Sequence, residues 1–219
     1  MSRTVVVSLE FRFYRTANNE FYTDSVFGEE FWSRYLDVFE KIIIVARVLE
    51  VNEIGDKWTR VDSDVISFHP VPHYIGPKQM VMNFKGINAA LQQVACLPHS
   101  FILRVPSFIG MLLYRKLLNN NQFYALEVVG DPFDVFKPGN FKSKLTSLYQ
   151  RLFSKELKSQ CNKASAVSYV TKETLQKSYP ARSDVFSSHY SSVELPEYFF
   201  TNIDRVFQRE GAINLLFVG

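Results

Sequence analysis

Long apolar runs, a disulfide framework and glycine-rich phosphate loops are all missing from this 219-residue sequence, and each absence removes a class of protein. No stretch reaches the roughly eighteen uncharged apolar residues that cross a bilayer, so membrane contact is expected to be peripheral at most. The apolar run at residues 4–9 is too short for the core of a signal peptide and no small-residue cleavage site follows it, so it reads as a first strand made in the cytoplasm. The two cysteines, Cys96 and Cys161, lack metal-type spacing and read as buried thiols in a reducing compartment. There is no G-x-G-x-x-G after the first strand, no P-loop and no G-x-S-x-G elbow, which argues against a dinucleotide dehydrogenase, an NTPase and a common α/β-hydrolase. Charge of one sign is scarce as well. A formal net charge of +3 suits acidic ligands such as nucleotides, sugar phosphates or anionic lipid, but is too small to indicate nucleic acid.

What is present is apolar and aromatic. With 47% hydrophobic residues, twenty Phe and eleven Tyr, the chain has too much apolar surface to stay disordered. Short β-rich runs recur at residues 4–9, 42–48, 64–68, 101–105, 123–128 and 166–170, with helical patterns between them. That rhythm predicts an α/β fold with a Rossmann-like, doubly wound, mostly parallel sheet. Residues 29–39 read as a crossover helix, with Phe31, Trp32, Tyr35, Leu36 and Phe39 facing the sheet and Glu29 and Glu30 in the first turn. Residues 78–95 and 108–118 also read as helices, the second ending at Asn119, Asn120 and Asn121. From 139 to 163 the pattern is a long amphipathic helix with Phe141, Leu145, Leu148, Leu152 and Leu157 on one stripe and a basic remainder.

Residues 1–194 are therefore expected to form one Rossmann-like domain and 195–212 a linker. The fresh apolar run at 213–219 is expected to be the first strand of a further domain, cut after it.

Ligands of open parallel sheets bind at the carboxyl ends of the strands. The residues just after each run are Glu10, Arg12, Tyr14 and Arg15, then Arg47, His69, Arg104 and Ser107, Asp131, and Thr171. Arg47 and Arg104 lie beside apolar strands, where a guanidinium needs an acidic partner, and an internal ion pair and a ligand serve equally well. His69, near His73, has no Cys or carboxylate cluster around it and reads as structural rather than metal-binding. Thr171 before Lys172 and Glu173 is a good helix cap, and a helix start can also hold an anion. Asp131 sits in the Gly130-Asp131-Pro132 turn, which offers its carboxylate as a hydroxyl contact.

Four ordered blocks carry a family resemblance. They are residues 31–40 leading into Ile43-Ile44-Val45-Ala46-Arg47-Val48; Ile102-Leu103-Arg104-Val105-Pro106-Ser107 with Ile109-Gly110; Val128-Val129-Gly130-Asp131-Pro132; and residues 167–177 with Tyr179-Pro180. Together they resemble the N-terminal domain of the glycosyltransferase family 4 group, enzymes of the GT-B fold, and residues 213–219 look like the strand that opens that group's donor-binding domain. The resemblance implies retaining, metal-independent transfer of a sugar from a nucleotide diphosphate sugar, with no cofactor, to a polysaccharide or lipid-linked acceptor. It implies that the donor site belongs mainly to the missing C-terminal domain, so that this chain alone lacks turnover. It makes Arg104 and Asp131 catalytic candidates, Arg104 for the leaving diphosphate, and Ser107, Arg47, Thr171 and Tyr14 substrate-binding candidates. The glycine-rich loop of many members is absent between Phe11 and Ala17. Basic residues Lys142, Lys144, Arg151, Lys155 and Lys158 are candidates for contact with the inner membrane face, set against a solvated helix packed on the sheet. Two other readings stay open: a non-catalytic carbohydrate- or protein-binding module, and half of a GT-B nucleotide-sugar epimerase.

Overall fold

A computed structural model describes residues 3–135 and 146–191. The strands are β1 (Thr4–Arg15), β2 (Phe21–Thr23), β3 (Lys41–Glu50), β4 (Thr59–Arg60), β5 (Ile66–Pro72), β6 (Ser100–Val105), β7 (Ala125–Val128), β8 (Ala166–Tyr169) and β9 (Phe186–His189). The helices are α1 (Glu29–Leu36), α2 (Gly76–Met82), α3 (Phe84–Val94), α4 (Phe108–Asn119), α5 (Pro132–Val135), α6 (Thr146–Lys163) and α7 (Thr174–Ser178).

β-branched and aliphatic side chains at nearly every position of the first half of β1 and of β3 suit strands buried on both faces. These strands form the middle of a sheet whose parallel members run β5-β3-β1-β6-β7-β8-β9. Numbered among themselves, the first six of these follow the Rossmann order 3-2-1-4-5-6, and the order reverses between β1 and β6. The Rossmann-like, mostly parallel α/β sheet expected from the sequence is thus present. Two features depart from it. β1 runs on past Leu9 to Arg15, where it pairs antiparallel with β2, and β2 with β4, so Arg12, Tyr14 and Arg15 are strand residues rather than a loop. The predicted helix at 78–95 is two helices, because Asn83 leaves the helical conformation between α2 and α3.

The sheet separates two cores. On one face Ile87, Leu91 and Val94 of α3, Ile109, Leu113 and Leu117 of α4 and Leu157 and Cys161 of α6 pack on Val6, Val45, Leu103 and Val128. On the other, Trp32 and Tyr35 of α1 pack on Val5, Val7, Ile42 and Ile44, with Phe31 and Leu36 at the margin as the helical spacing predicts; Phe39 packs there too, but lies beyond α1, which ends at Leu36 rather than at 39. β7 and β8 alternate buried and half-buried residues, so among the described residues they are well covered on one face only.

Helix α6 corrects the predicted stripe. Leu157 is buried, but Leu148 and Leu152 are half exposed, and the other inward residues are Gln160 and Cys161. Phe141, Leu145, Lys142 and Lys144 lie outside the described residues, as do the expected linker and final strand. Cys96 is exposed, contrary to expectation, and Cys161 is buried. Among the described residues no helix is long and apolar enough to cross a membrane.

Candidate functional site

At the carboxyl ends of β1 and β6 the register of β1 against β3 breaks. Ser8 pairs with Val45 and Arg12 with Arg47, so four steps along β1 match two along β3. The surplus residues form a bulge, and bulges re-aim side chains next to sites. Here the bulge carries Glu10. Its Oε2 accepts from the backbone N–H of Ile109 at 3.0 Å, in the first turn of α4, and its Oε1 accepts from the Tyr74 hydroxyl. A carboxylate is favoured at that end of a helix by the unpaired N–H groups and the helix dipole. In dinucleotide-binding sheets the phosphate sits at the helix that follows the first strand; here β1 leads into β2 instead, and the start of α4, after β6, is held by the protein's own carboxylate.

Arg47 closes the cluster. Its Nη1 donates to the Tyr74 carbonyl at 2.8 Å and its Nη2 to the Glu10 carbonyl at 2.6 Å, while Nε lies 3.6 Å from the Glu10 carboxylate. The guanidinium also stacks over the Tyr74 ring at 4.9 Å. Burial first, and then the charge of Glu10, push the Tyr74 hydroxyl far up, so it stays a donor. Ser107 caps α4, its Oγ accepting from Gly110 N at 2.8 Å. A side chain at Gly110 has no room: a Cβ there meets Ser107 Oγ at 2.6 Å and Val105 Cγ1 at 3.0 Å.

These residues form the floor of a cavity of about 710 Å³. Its walls are mostly apolar: Pro77 and Met80 of α2, Phe108 and Met111 of α4, and Leu152 and Phe153 of α6. Arg115 and Lys155 add positive charge, Arg115 being held by Glu156 through two bonds of 3.1 Å. Size and lining match the concave, mainly apolar pockets with a few converging polar groups that bind small molecules. Among the described residues four buried side-chain polar atoms lack a hydrogen-bond partner: Ser8 Oγ, Arg12 Nε, Arg47 Nε and His73 Nδ1. Arg47, on β3, lines the cavity; Ser8 and Arg12 are on β1 and His73 follows β5. Burial, then the charges of Arg47 and Arg12, lower the pKa of His73 below 6.5.

The structure brings together two of the sequence-derived candidates, Arg47 and Ser107. Arg104 is on β6 but projects to the opposite face, where its Nη1 pairs with Glu127 of the neighbouring strand. Tyr35 donates to both oxygens of Glu127 at 2.8 Å, Tyr190 donates to it at 3.3 Å, and the rings of Phe31 and Phe27 lie against the guanidinium. Burial is the largest influence and opposes the Arg104 charge, but Glu127, Tyr35 and Tyr190 together outweigh it and keep the pKa above its ordinary value. Of the two readings of Arg104, the internal ion pair is the one the geometry has. Asp131 accepts from the backbone N–H of Phe133 at 2.9 Å and from the Tyr179 hydroxyl at 2.7 Å, so it caps α5 and ties down Tyr179. Thr171 is not the N-cap of α7, which is Glu173, but its Oγ1 reaches into the first turn and accepts from Leu175 N at 3.0 Å. Tyr14 is buried far along β1, stacked on Trp58 and donating to Asp24 at 2.7 Å. His69 is a half-buried strand residue whose pKa burial lowers.

Sequence reasoning passed over Tyr74 and gave Glu10 no role, although Glu10 stood among the residues after the first run. Their pairing joins positions 64 residues apart, and Glu10 and Ile109 are 99 apart. Among the described residues no group of three or more His, Cys, Asp and Glu is placed to hold a metal.

No family model matches the sequence. Over 179 residues the chain is 30% identical to Protein CapJ of Staphylococcus aureus, a match covering 81% of this chain and 44% of CapJ. A solved structure, a UGT transferase from Siraitia grosvenorii in complex with UDP, aligns over 86% of this chain and 50% of that one, at a TM-score of 0.44 and 8% identity. The chain is thus similar to CapJ over most of its own length while spanning less than half of CapJ's.

Proposed function

We propose that this chain is the acceptor-side, N-terminal domain of a retaining glycosyltransferase of GT-B type, which moves a sugar from a nucleotide diphosphate sugar to a glycan or lipid-linked acceptor. The observation that carries the reading is the 710 Å³ cavity at the point where the strand order reverses, floored by Glu10, Arg47, Tyr74 and Ser107. The absence of a glycine-rich phosphate loop, together with Glu10 at the start of α4, supports a pocket for an acceptor over one for a dinucleotide.

In this reading the apolar walls hold the acceptor's body. Arg47 and Glu10 meet its hydroxyl or anionic group, the first as donor and the second as acceptor. Retaining transfer builds positive charge on the sugar ring and negative charge on the departing diphosphate. Arg47, Arg115 and Lys155 supply a positive field on the cavity side for the second of these. Arg104 and Asp131 are left in structural roles, because their polar atoms already have internal partners.

Isothermal titration with several nucleotide diphosphate sugars tests the division of labour. The 219-residue chain is compared with one extended by whatever the gene encodes beyond Gly219. Binding to the extended chain alone is the expected result. Tight binding to the 219-residue chain overturns the reading in favour of a self-contained nucleotide-binding domain.

A further inference from the structure

Two arginines neighbour each other across the central strands. Arg12 of β1 and Arg47 of β3 are register partners just past the bulge, so their side chains leave the sheet on the same face. Like charges at facing positions of adjacent strands repel. His73 joins them: it follows Pro72, the register partner of Val48, and after burial both guanidiniums lower its pKa.

Two carboxylates stand nearby, and both already serve other donors. Glu10 accepts from the Ile109 N–H and the Tyr74 hydroxyl, and lies 3.6 Å from Arg47 Nε. Asp24 accepts from the Tyr14 hydroxyl at 2.7 Å and lies 3.5 Å from Arg12 Nη2. Both separations exceed the roughly 2.7 to 2.9 Å of a charge-assisted hydrogen bond. Three nitrogens are left over: Arg12 Nε, Arg47 Nε and His73 Nδ1 are buried and have no hydrogen-bond partner. Guanidinium nitrogens only donate, and the ring nitrogen donates when it carries the proton, so what the group lacks is acceptor oxygen. A hydroxyl would bring one acceptor together with a further donor. A phosphate or carboxylate brings several acceptors on one centre, and the negative charge that two neighbouring guanidiniums favour.

We propose that Arg12, Arg47 and His73 form an oxyanion site beside the cavity, filled by a phosphate or carboxylate group of the acceptor. Arg47 lines the cavity and joins it to this site. The side chains of Arg12 and Arg47 are 36% and 20% exposed, and turning toward the ligand gives their covered Nε groups an acceptor. The site stands on its own geometry, while the identity of its ligand as an acceptor rests on the acceptor-side reading given above.

The test follows the histidine ring signals by NMR through a pH titration of the 219-residue chain, alone and with inorganic phosphate, glucuronic acid or methyl glucoside. An oxyanion in contact favours the charged ring, so the His73 midpoint should rise by roughly 1 pH unit with phosphate or glucuronic acid and stay in place with methyl glucoside. His69, on β5 and outside the group, should not respond. A response to phosphate alone identifies the acceptor group as a phosphoryl ester, and a response to glucuronic acid alone as a uronic acid. Arg12→Gln should weaken the anion response about tenfold, and Arg12→Lys, which keeps the charge without the fork, should restore part of it. Circular dichroism of both variants should match the parent. No His73 shift with either anion overturns the proposal, as does a shift that Arg12→Gln leaves unchanged. A His73 shift produced by tight binding of a nucleotide diphosphate sugar to this chain alone keeps the oxyanion site and overturns the acceptor-side reading instead.

Discussion

Arg47 and Arg104 sit on parallel strands of one sheet, each beside a carboxylate and an aromatic ring, yet their settings differ because they face opposite sides. Arg104 and Glu127 are cross-strand neighbours with side chains only 9% and 14% exposed, and two tyrosines complete their hydrogen bonding. Arg47 and Glu10 are held largely by backbone groups, remain partly exposed at 20% and 32%, and leave the guanidinium Nε without a hydrogen bond. A saturated buried pair is a fixture of the fold. A pair with spare hydrogen-bonding capacity at the floor of a cavity is equipped to meet a ligand.

The largest expected effect tests the first half of that contrast. Glu127→Ala leaves the Arg104 charge buried among Phe27, Phe31 and Tyr35, and should cost about 3 to 5 kcal/mol in urea unfolding. Replacing the pair together, Arg104→Met with Glu127→Leu, should restore most of the loss, because the desolvation penalty leaves with the charge. If the double variant is as unstable as the single, the cluster is more than an ion pair and the contrast with Arg47 fails.

Gly110→Ala comes next, with an expected loss of about 1 to 3 kcal/mol, since its methyl group displaces the Ser107 cap and presses on Val105. A smaller loss for Glu10→Gln, about 1 kcal/mol by the same unfolding measurement, completes the comparison. The amide cannot accept from both Tyr74 and Ile109 as the carboxylate does, but the site is partly open to water. A cost for Glu10→Gln equal to that of Glu127→Ala would make both clusters structural.

The parts legible in the sequence were those fixed by local composition. Val5, Val6 and Val7, and Ile42, Ile43 and Ile44, announce strands covered on both faces, and the spacing of Trp32 and Tyr35 announces the buried side of α1. The second half of β1 was not legible. Its alternation of charged and aromatic residues from Glu10 to Arg15 fits a loop near a site as well as a half-buried strand, and only β2 and β4 decide for the strand. Ser107, Asp131 and Thr171 lie just past their strands as expected, whereas Arg12, Tyr14, Arg15, Arg47, His69 and Arg104 lie within strands, and sequence carries no sign of which face a strand side chain takes. Arg104 and Leu103 are adjacent and point to opposite cores, so one residue of phase separates a cavity from an ion pair.

The mildest prediction uses pH to separate the two regions. His73 stands in the field of Arg47 and Arg12, and burial together with those charges sets its folded pKa below the 6.5 of a free histidine. Half-buried His69 is lowered too, by burial. As pH falls through 6.5 the unfolded chain takes up these protons before the folded one, so the folded state loses stability on the acid side and keeps it above neutrality. The urea midpoint should therefore be lower at pH 5.5 than at pH 7.5, and His73→Gln should reduce that difference without removing it, His69 supplying the rest. In the Arg104 cluster Tyr35 and Tyr190 are raised above the tyrosine value of 10 by burial first and then by Glu127, so neither tyrosine titrates in this window. With Glu127→Ala the midpoint should fall at both pH values while the difference between them persists. If that substitution abolishes the difference, the two sides of the sheet are coupled, and the charge balance around Arg47 depends on the pair beneath α1.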